Sequence, residues 1–339
     1  MREPVLPHPM PTVSVIIPTY NTAAYIGDAL DSVFAQTRTD YEVIVVNDGS
    51  PDTERLEQVL APYRERITYI KQENRGPSGA RNAAIRAARA PLLALLDSDD
   101  LWEPHYLAVQ MTALERDPTI DVIYPNALIF GDAPEAGRMF MEVCPSDGDV
   151  TFEALATARC TVMVSVLMRR EVIFRAGLFD ESFRGPEDFD LWLRVLKHGG
   201  RISYHRQVLV RYRRREGCLM SNMIPMHKEQ LKVFEKARRT LDLTSSEAEI
   251  IQQQHARIQA LLCMEEGKRA FLDGNTALAV SKLGEANAFF KSRRMTFVLI
   301  LLRIAPRLLL RVYSLRHRLV FGPTTMLSMC IFPFIAWSR

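Results

Sequence analysis

The chain of 339 residues is poor in cysteine: Cys144, Cys160, Cys218, Cys263 and Cys330 are odd in number, far apart, and form no CxxC or Cys/His cluster. This argues against a structural zinc site and a disulfide-stapled secreted scaffold, and for a reducing, cytoplasmic setting. No apolar core stands in Met1–Pro11, which holds four prolines, so no secretory signal is expected there. From Ala286 to Arg339 there is no Asp or Glu at all, against nine Lys and Arg. Because the whole chain carries +3, the first 285 residues are left at −6. An acidic body of this kind makes nucleic acid an unexpected partner. With 47% hydrophobic and 24% charged residues, the chain has the composition of a folded protein rather than a disordered one. Its length suits one large domain with an appendage, or two domains.

Apolar runs and helical patterns alternate through the first hundred residues. TVSVIIP (12–18), YEVIVVND (41–48), RITYIKQ (66–72) and PLLALLD (91–97) read as strands, with helices between them. This alternation predicts an α/β fold with a mostly parallel sheet flanked by helices. Further strands are expected at 120–130 (with a break at Pro125), 161–170, 201–205 and 207–214, and a helix from about Phe189 to Lys197. Residues 131–150, rich in Gly, Pro and acid, read as a mobile loop over the site. From Asn222 every pattern is helical: 222–240, 246–266, 268–273 with 276–290, and 295–319. The predicted organisation is a tail (1–11), the α/β body (12–217), a helical subdomain (218–294) and a basic segment (295–339), the last two forming an all-α C-terminal region. EEGKRAFLDGNTALAVSKLGEANAF has the small-residue spacing of a tetratricopeptide-like hairpin, but one such unit cannot bury its own apolar face, so a plain helical subdomain is expected.

Five segments carry chemistry. LLALLDSDDLWEP (93–104) sets three carboxylates at the end of a buried strand, where ligands of open parallel sheets bind. Asp97 and Asp99, two apart, can share a Mg²⁺ or Mn²⁺ ion with diphosphate oxygens; alternatively Asp100 caps the next helix and the others are solvated. IIPTYN (16–21) offers Tyr20 as a stacking face, or is an ordinary turn. In VVNDGSPD (45–52), Asp48 either accepts from a base N–H or closes a turn. NRGPSGARNAAI (74–85) has glycines near a helix start and Arg75 or Arg81 for anionic ligands. In RGPEDFDLWLRVLKHGG (184–200), Asp188 precedes the helix as general base or N-cap. Phe189, Trp192, Leu193 and Leu196 make a core stripe, and Asp190 and Arg194, i and i+4, a surface ion pair.

PTYN, VVNDGS, GARNAAI, DSDD and PEDFDLWLR, in this order and spacing over residues 12–216, resemble the inverting glycosyltransferases of family 2 with the GT-A fold. The resemblance implies that Thr19, Tyr20 and Asp48 hold the nucleotide, with Arg81 in support. It implies that Asp97 and Asp99 meet ribose and a divalent metal (Mn²⁺ or Mg²⁺), and that Asp188 is the base with Glu187 alongside. VRYRRREG (210–217) resembles the family's aromatic–Arg stretch. Where some relatives have a His as an extra metal or diphosphate contact, this chain has Arg214 and Arg215, and arginine suits phosphate. The implied reaction moves a sugar from a nucleotide-diphosphate donor, a UDP-sugar by analogy, to a hydroxyl of a glycan or lipid-linked glycan. A sugar nucleotidyltransferase and a nucleotide-binding, membrane-associated scaffold are the competing readings. The first usually has a basic Gly-rich loop after strand one, where PTYN has neither Gly nor Lys.

In the tail, Arg303, Arg307, Arg311 and Arg318 fall on one helical face over 295–319, with Ile304, Leu308, Val312, Leu315 and Leu319 opposite. That basic amphipathic pattern suits an anionic membrane surface, so the chain is expected at the inner face of the membrane. LVFGPTTMLSMCIFPFIAW (319–337) is uncharged and just long enough to span, but its prolines, Thr and Ser argue against a clean span. Packing on the body or in a homo-oligomer is the alternative.

Overall fold

The computed structural model describes residues 10–215 and 223–309. Backbone contacts divide the chain into two units, Met1–Glu216 and Gly217–Arg339.

The first unit runs β1 (Val13–Thr19), α1 (Ile26–Phe34), β2 (Tyr41–Asp48), α2 (Thr53–Leu60), β3 (Thr68–Gln72), α3 (Gly76–Ala87), β4 (Leu92–Leu95), β5 (Leu101–Trp102), α4 (Tyr106–Arg116), β6 (Val122–Gly131), α5 (Phe140–Val143), α6 (Phe152–Ala156), β7 (Leu167–Arg169), α7 (Arg170–Arg175), α8 (Glu187–Lys197) and β8 (Ile202–Arg214). Eight strands form one sheet in the order β3-β2-β1-β4-β7-β6-β8-β5. β1 lies parallel to β2 and β4, and β2 to β3. β7 runs antiparallel to both its neighbours, β5 antiparallel to β8, and β6 and β8 are parallel. The sheet is therefore mixed, with β3, β2, β1 and β4 forming a parallel block and β6 and β8 a second parallel pair. Ile16, Ile17, Ile44, Val45, Leu93 and Ala94 are fully buried, the uninterrupted apolar pattern of strands covered on both faces. The chain goes from β1 to β2 on one side and later inserts β4 on the other. That reversal opens a crevice at the carboxyl ends of β1, β2 and β4, where a ligand can enter.

Several elements depart from the sequence reading, each for a local reason. β4 stops at Leu95, so Asp97 is in the loop rather than on the strand. β6 passes through Pro125 without breaking, and its pairing with β8 slips on either side of Asn126. A bulge there tolerates a residue with no N–H to donate. β7 is only Leu167–Arg169 instead of ten residues, and β8 is one long strand rather than two. The 131–150 segment is pinned, not a free loop: Asn126 Oδ1 accepts from the Met141 N–H at 3.0 Å, and Tyr124 and Ser146 hydroxyls meet at 2.7 Å. α8 begins at Glu187 after Pro186, so Asp188 lies inside the first turn and is not its N-cap. The helix is buried well beyond the expected stripe, Leu191 and Val195 being fully enclosed together with Trp192.

The second unit comprises α9 (Met223–Thr240), α10 (Ser245–Leu272), α11 (Thr276–Phe290) and α12 (Arg293–Ile304). α10 is a single helix where two were expected, started by a Thr244/Glu247 capping box with bonds of 3.2 and 2.7 Å. α10 and α11 form the hairpin suggested by the small residues. Gly267 makes room for Leu283, whose Cγ would stand 2.7 Å from an added Cβ. Phe271, Ala279, Leu283, Ala286, Met295, Leu299 and Leu302 share its core. α12 ends at Ile304, because Pro306 disfavours helical backbone at Ala305, and the backbone is helical again over 306–309; the rest of the expected 295–319 helix lies outside the described residues. Arg311, Arg318 and the 319–337 run lie outside the described residues.

Candidate active site

Strand ends deliver the residues to one place. Thr19 closes β1, Asp48 closes β2, and the Asp97–Asp100 loop follows β4. A buried hydroxyl chain joins the first and third: Thr19 Oγ1 to Thr22 Oγ1 at 2.8 Å, and Thr22 Oγ1 to Ser98 Oγ at 2.8 Å. Ser98, which the sequence reading passed over, thereby fixes the acidic loop to the β1 loop. Tyr20 is 51% exposed, leaving its ring free to face a ligand.

Asp48 is buried, and its Oδ1 accepts from Gln72 Nε2 at 2.7 Å and from the Arg75 N–H at 2.8 Å. It thus holds the loop between β3 and α3 as well as ending β2. Gly49, at φ +64°, follows with a left-handed backbone, and a Cβ there would lie 2.8 Å from the Asn74 backbone nitrogen. Only glycine permits that close approach of the two loops.

Arg81 is the centre of the arrangement. It is buried in α3, and its two terminal nitrogens reach different carboxylates: Nη1 donates to Glu187 Oε1 at 2.6 Å and Nη2 to Asp97 Oδ1 at 2.7 Å. One guanidinium therefore ties the acidic loop after β4 to the first turn of α8, 106 residues away in sequence. Burial pushes Glu187 up to about 7, helped by the charge of Asp188 and opposed by Arg81. Asp188 is also raised, first by burial and then by Asp97, although Arg81 and the Phe189 N–H on its Oδ1 (2.7 Å) favour its charged form. Acidic residues at a helix start gain from the helix dipole, which helps α8 carry three of them in one turn. Asp190 is not the expected surface partner. It is buried, its Oδ2 accepts from Arg194 Nε at 2.9 Å and Nη2 at 2.7 Å, and Arg194 also donates to the Ala176 carbonyl. The pair braces α8 against the turn after α7.

The far side of the acidic loop meets the end of β8. Arg213 donates from its backbone N–H to Asp100 Oδ1 and from Nε to the Asp99 carbonyl, both at 2.7 Å. Arg215 Nε donates to Asp99 Oδ2 at 3.0 Å. Burial raises Asp99 and raises Asp100 strongly, and the neighbouring aspartates add to both shifts. Arg213 and Arg215, two apart, share a strand face and both lie over the Tyr25 ring, 4.8 and 5.4 Å from its centre. Arg214 points the other way and pairs with Glu135 at 3.2 Å, away from the aspartates that Arg213 and Arg215 touch. Arg213 and Tyr25 were missed in the sequence; the period of two in VRYRRREG was the signal that separates Arg213 and Arg215 from Arg214.

Among the described residues no three His, Cys, Asp or Glu converge as a metal cage. At the strand ends the described residues offer carboxylate oxygens at Asp97 and Asp99. Such a sparse oxygen seat suits Mg²⁺ or Mn²⁺, which complete their shell with substrate phosphates and water. No described helix is long and apolar enough to cross a membrane.

Residues 14–173 match the family described as Glycosyl transferase family 2. An uncharacterized glycosyltransferase of Rickettsia typhi is 31% identical over 210 residues, covering 60% of this chain and 64% of that protein. EpsJ of Bacillus subtilis, also named an uncharacterized glycosyltransferase, is 31% identical over 222 residues, 62% of this chain and 63% of its own. The chain spans from 30% to 64% of the length of the first such curated relatives. Among solved structures, S. aureus TarS in complex with UDP aligns with a TM-score of 0.59 at 19% identity, over 84% of this chain and 92% of that one. The mannosyltransferase PcManGT of Pyrobaculum calidifontis, in complex with GDP-Man and Mn²⁺, aligns with a TM-score of 0.59 at 19% identity, over 92% and 88%. Residues 14–173 thus match glycosyltransferase family 2 in profile, curated relatives named glycosyltransferases align with the same body, and the chain has the GT-A architecture.

Proposed function

We propose that the protein transfers a sugar from a nucleoside-diphosphate donor, a UDP-sugar, to a hydroxyl of a glycan or lipid-linked glycan, with inversion. The observation that carries this reading is Arg81, which holds the Asp97 carboxylate and the Glu187–Asp188 turn within one ion-pair network. Donor-side and acceptor-side groups thus share one rigid support, as a single in-line displacement needs. Thr19, Tyr20 and Asp48 line the nucleotide end, with Tyr20 as stacking face. Asp188 takes the proton of the attacking hydroxyl, a role typically worth 10²–10⁴-fold. Glu187, held by Arg81, keeps the turn in place. A divalent cation, when bound at Asp97 and Asp99, neutralises charge on the leaving diphosphate. Arg214, paired with Glu135, serves the fold on this reading, and the phosphate role passes to Arg215.

The test is product analysis with a panel of nucleotide-sugars, acceptor and Mn²⁺. Release of nucleoside diphosphate is the expected result. Release of pyrophosphate from a sugar phosphate and a nucleoside triphosphate would mark a nucleotidyltransferase, and no turnover at all a binding scaffold.

A peripheral place on an anionic membrane also belongs to this reading. Phe297, Ile300, Ile304 and Leu308 are exposed at helical spacing, Ile304 by 75%, next to Arg303 and Arg307 and with no acidic residue from Ala286 onward. Apolar side chains beside basic ones are what an interfacial helix presents to anionic lipid. Flotation of the full chain with vesicles containing anionic lipid tests this: Ile304→Glu with Leu308→Glu is expected to leave the protein at the bottom of the gradient. Equal flotation of that variant contradicts it.

A further inference from the structure

Arg215 and a divalent cation lay claim to the same carboxylate. The Arg215 Nε sits 3.0 Å from Asp99 Oδ2, with both side chains about a quarter exposed, at 26% and 21%. The two neighbouring arginines of this strand face are held very differently. Arg213 is fixed by its backbone N–H on Asp100, by Nε on the Asp99 carbonyl and by an ion pair with Asp28 at 3.5 Å. Arg215 follows the last residue of β8, so no strand ladder fixes its backbone. Its contacts among the described residues are the Asp99 carboxylate and the face of Tyr25. Asp99 is thus neutralised by the more loosely held guanidinium of the pair.

We infer that Arg215 is a positioning residue that competes with the cation for Asp99 and, once displaced, takes the donor's diphosphate. This rests on the proposed seat of the cation at Asp97 and Asp99. A doubly charged ion on Asp99 repels a guanidinium at hydrogen-bond distance from the same carboxylate, and the site is sheltered enough that water does not cancel the repulsion. The guanidinium then needs another anion within reach of a tethered strand end. A diphosphate bound at the cation supplies one, in the bidentate geometry that arginine favours. The consequence is coupling. Nucleotide draws Arg215 off Asp99 and so tightens the cation, and by reciprocity the cation tightens the nucleotide by the same factor.

Mn²⁺ binding to the full chain, read from the free-ion signal by electron paramagnetic resonance, tests this without any turnover. For the unaltered chain, saturating UDP is expected to tighten Mn²⁺ by about 5- to 150-fold, the usual range of such coupling. In Arg215→Met, Mn²⁺ alone binds several-fold tighter than to the unaltered chain, and the gain from UDP shrinks by the same factor, to what the direct contact between diphosphate and ion supplies. Arg215→Lys, which keeps the charge, stays near the unaltered chain for Mn²⁺ alone and guards against a misfolded Met variant. Unchanged or weaker Mn²⁺ binding to Arg215→Met in the absence of nucleotide overturns the inference. Asp99→Asn separates the two levels of the argument. If that variant binds Mn²⁺ as well as the unaltered chain, the seat itself is wrong and the competition falls with it. If it loses Mn²⁺ while Arg215→Met gains nothing, the seat stands and only the competition fails.

Discussion

The end of the sheet and the helical unit both abound in ion pairs, yet the pairs are of opposite kinds. In the helical unit several are local and wet: Lys232 with Glu229 and Lys282 with Glu285 are three residues apart, each with one partner more than half exposed. At the sheet end they are remote in sequence and enclosed: Arg81 reaches Asp97 and Glu187 from a side chain only 5% exposed. Exposed local pairs contribute little to stability and can be exchanged freely. A buried guanidinium shared by two carboxylates is expensive to desolvate and cannot lose a partner cheaply. Charge kept in such a place, where an apolar side chain would pack as well, points to work beyond stability.

That contrast can be broken in several ways, beginning with the largest effect. Asp188→Asn is expected to lower the transfer rate by about 10²–10⁴-fold while leaving UDP affinity within a factor of about two. Calorimetric titration with UDP beside a transfer assay checks it, and equal loss of binding would make Asp188 a donor contact instead. Arg81→Met leaves the buried Glu187 and the half-buried Asp97 without their shared cation and is expected to cost about 3–5 kcal/mol of stability, read by urea denaturation of the full chain. A cost near zero would place Arg81 on the wet side of the comparison.

The pH profile sharpens the same contrast. Glu187 is raised to about 7 and Asp188 is raised as well, both chiefly by burial. A raised carboxyl keeps its proton further up the pH scale, so the base is lost on acidification earlier than an ordinary carboxylate would be. The acid limb of kcat/KM is therefore expected well above 4, nearer neutrality, and as the titration of the pair rather than of one residue. An acid limb at the usual carboxylate value would contradict the enclosed environment. In the helical unit the sensitive positions are apolar. Gly267→Ala presses on Leu283 and is expected to cost about 1–3 kcal/mol. Smallest of all, Lys232→Ala should leave the melting temperature of the full chain unchanged.

Much of the body was legible because parallel strands buried on both faces must be apolar throughout, which β1, β2 and β4 are. The short β7 was not, since 161–170 is apolar for packing and pairs over three residues only. Pro125 misled for a related reason: a bulge hides the missing N–H, and a bulge has no residue signature of its own. At the site, order and spacing of motifs located the aspartates of the β4 loop and the ED pair. They did not reveal that Arg81 bridges them, because a contact over 106 residues leaves no periodicity. Arg213 was hidden among four arginines in six residues, where only the alternation of a strand decides which side chains share a face. Ser98 is a small hydroxyl between carboxylates, and its bond to Thr22 depends on two loops that only the folded sheet brings together.

The central claim is that this strand-end network receives a nucleoside diphosphate through a divalent cation. Thermal unfolding of the full chain with UDP- and GDP-sugars, each with Mn²⁺ or with chelator, tests it most directly. The account predicts that at least one donor raises the melting temperature with Mn²⁺ and not with chelator, and that Asp99→Asn abolishes the rise. Stabilisation that is indifferent to Mn²⁺ and survives Asp99→Asn would contradict it.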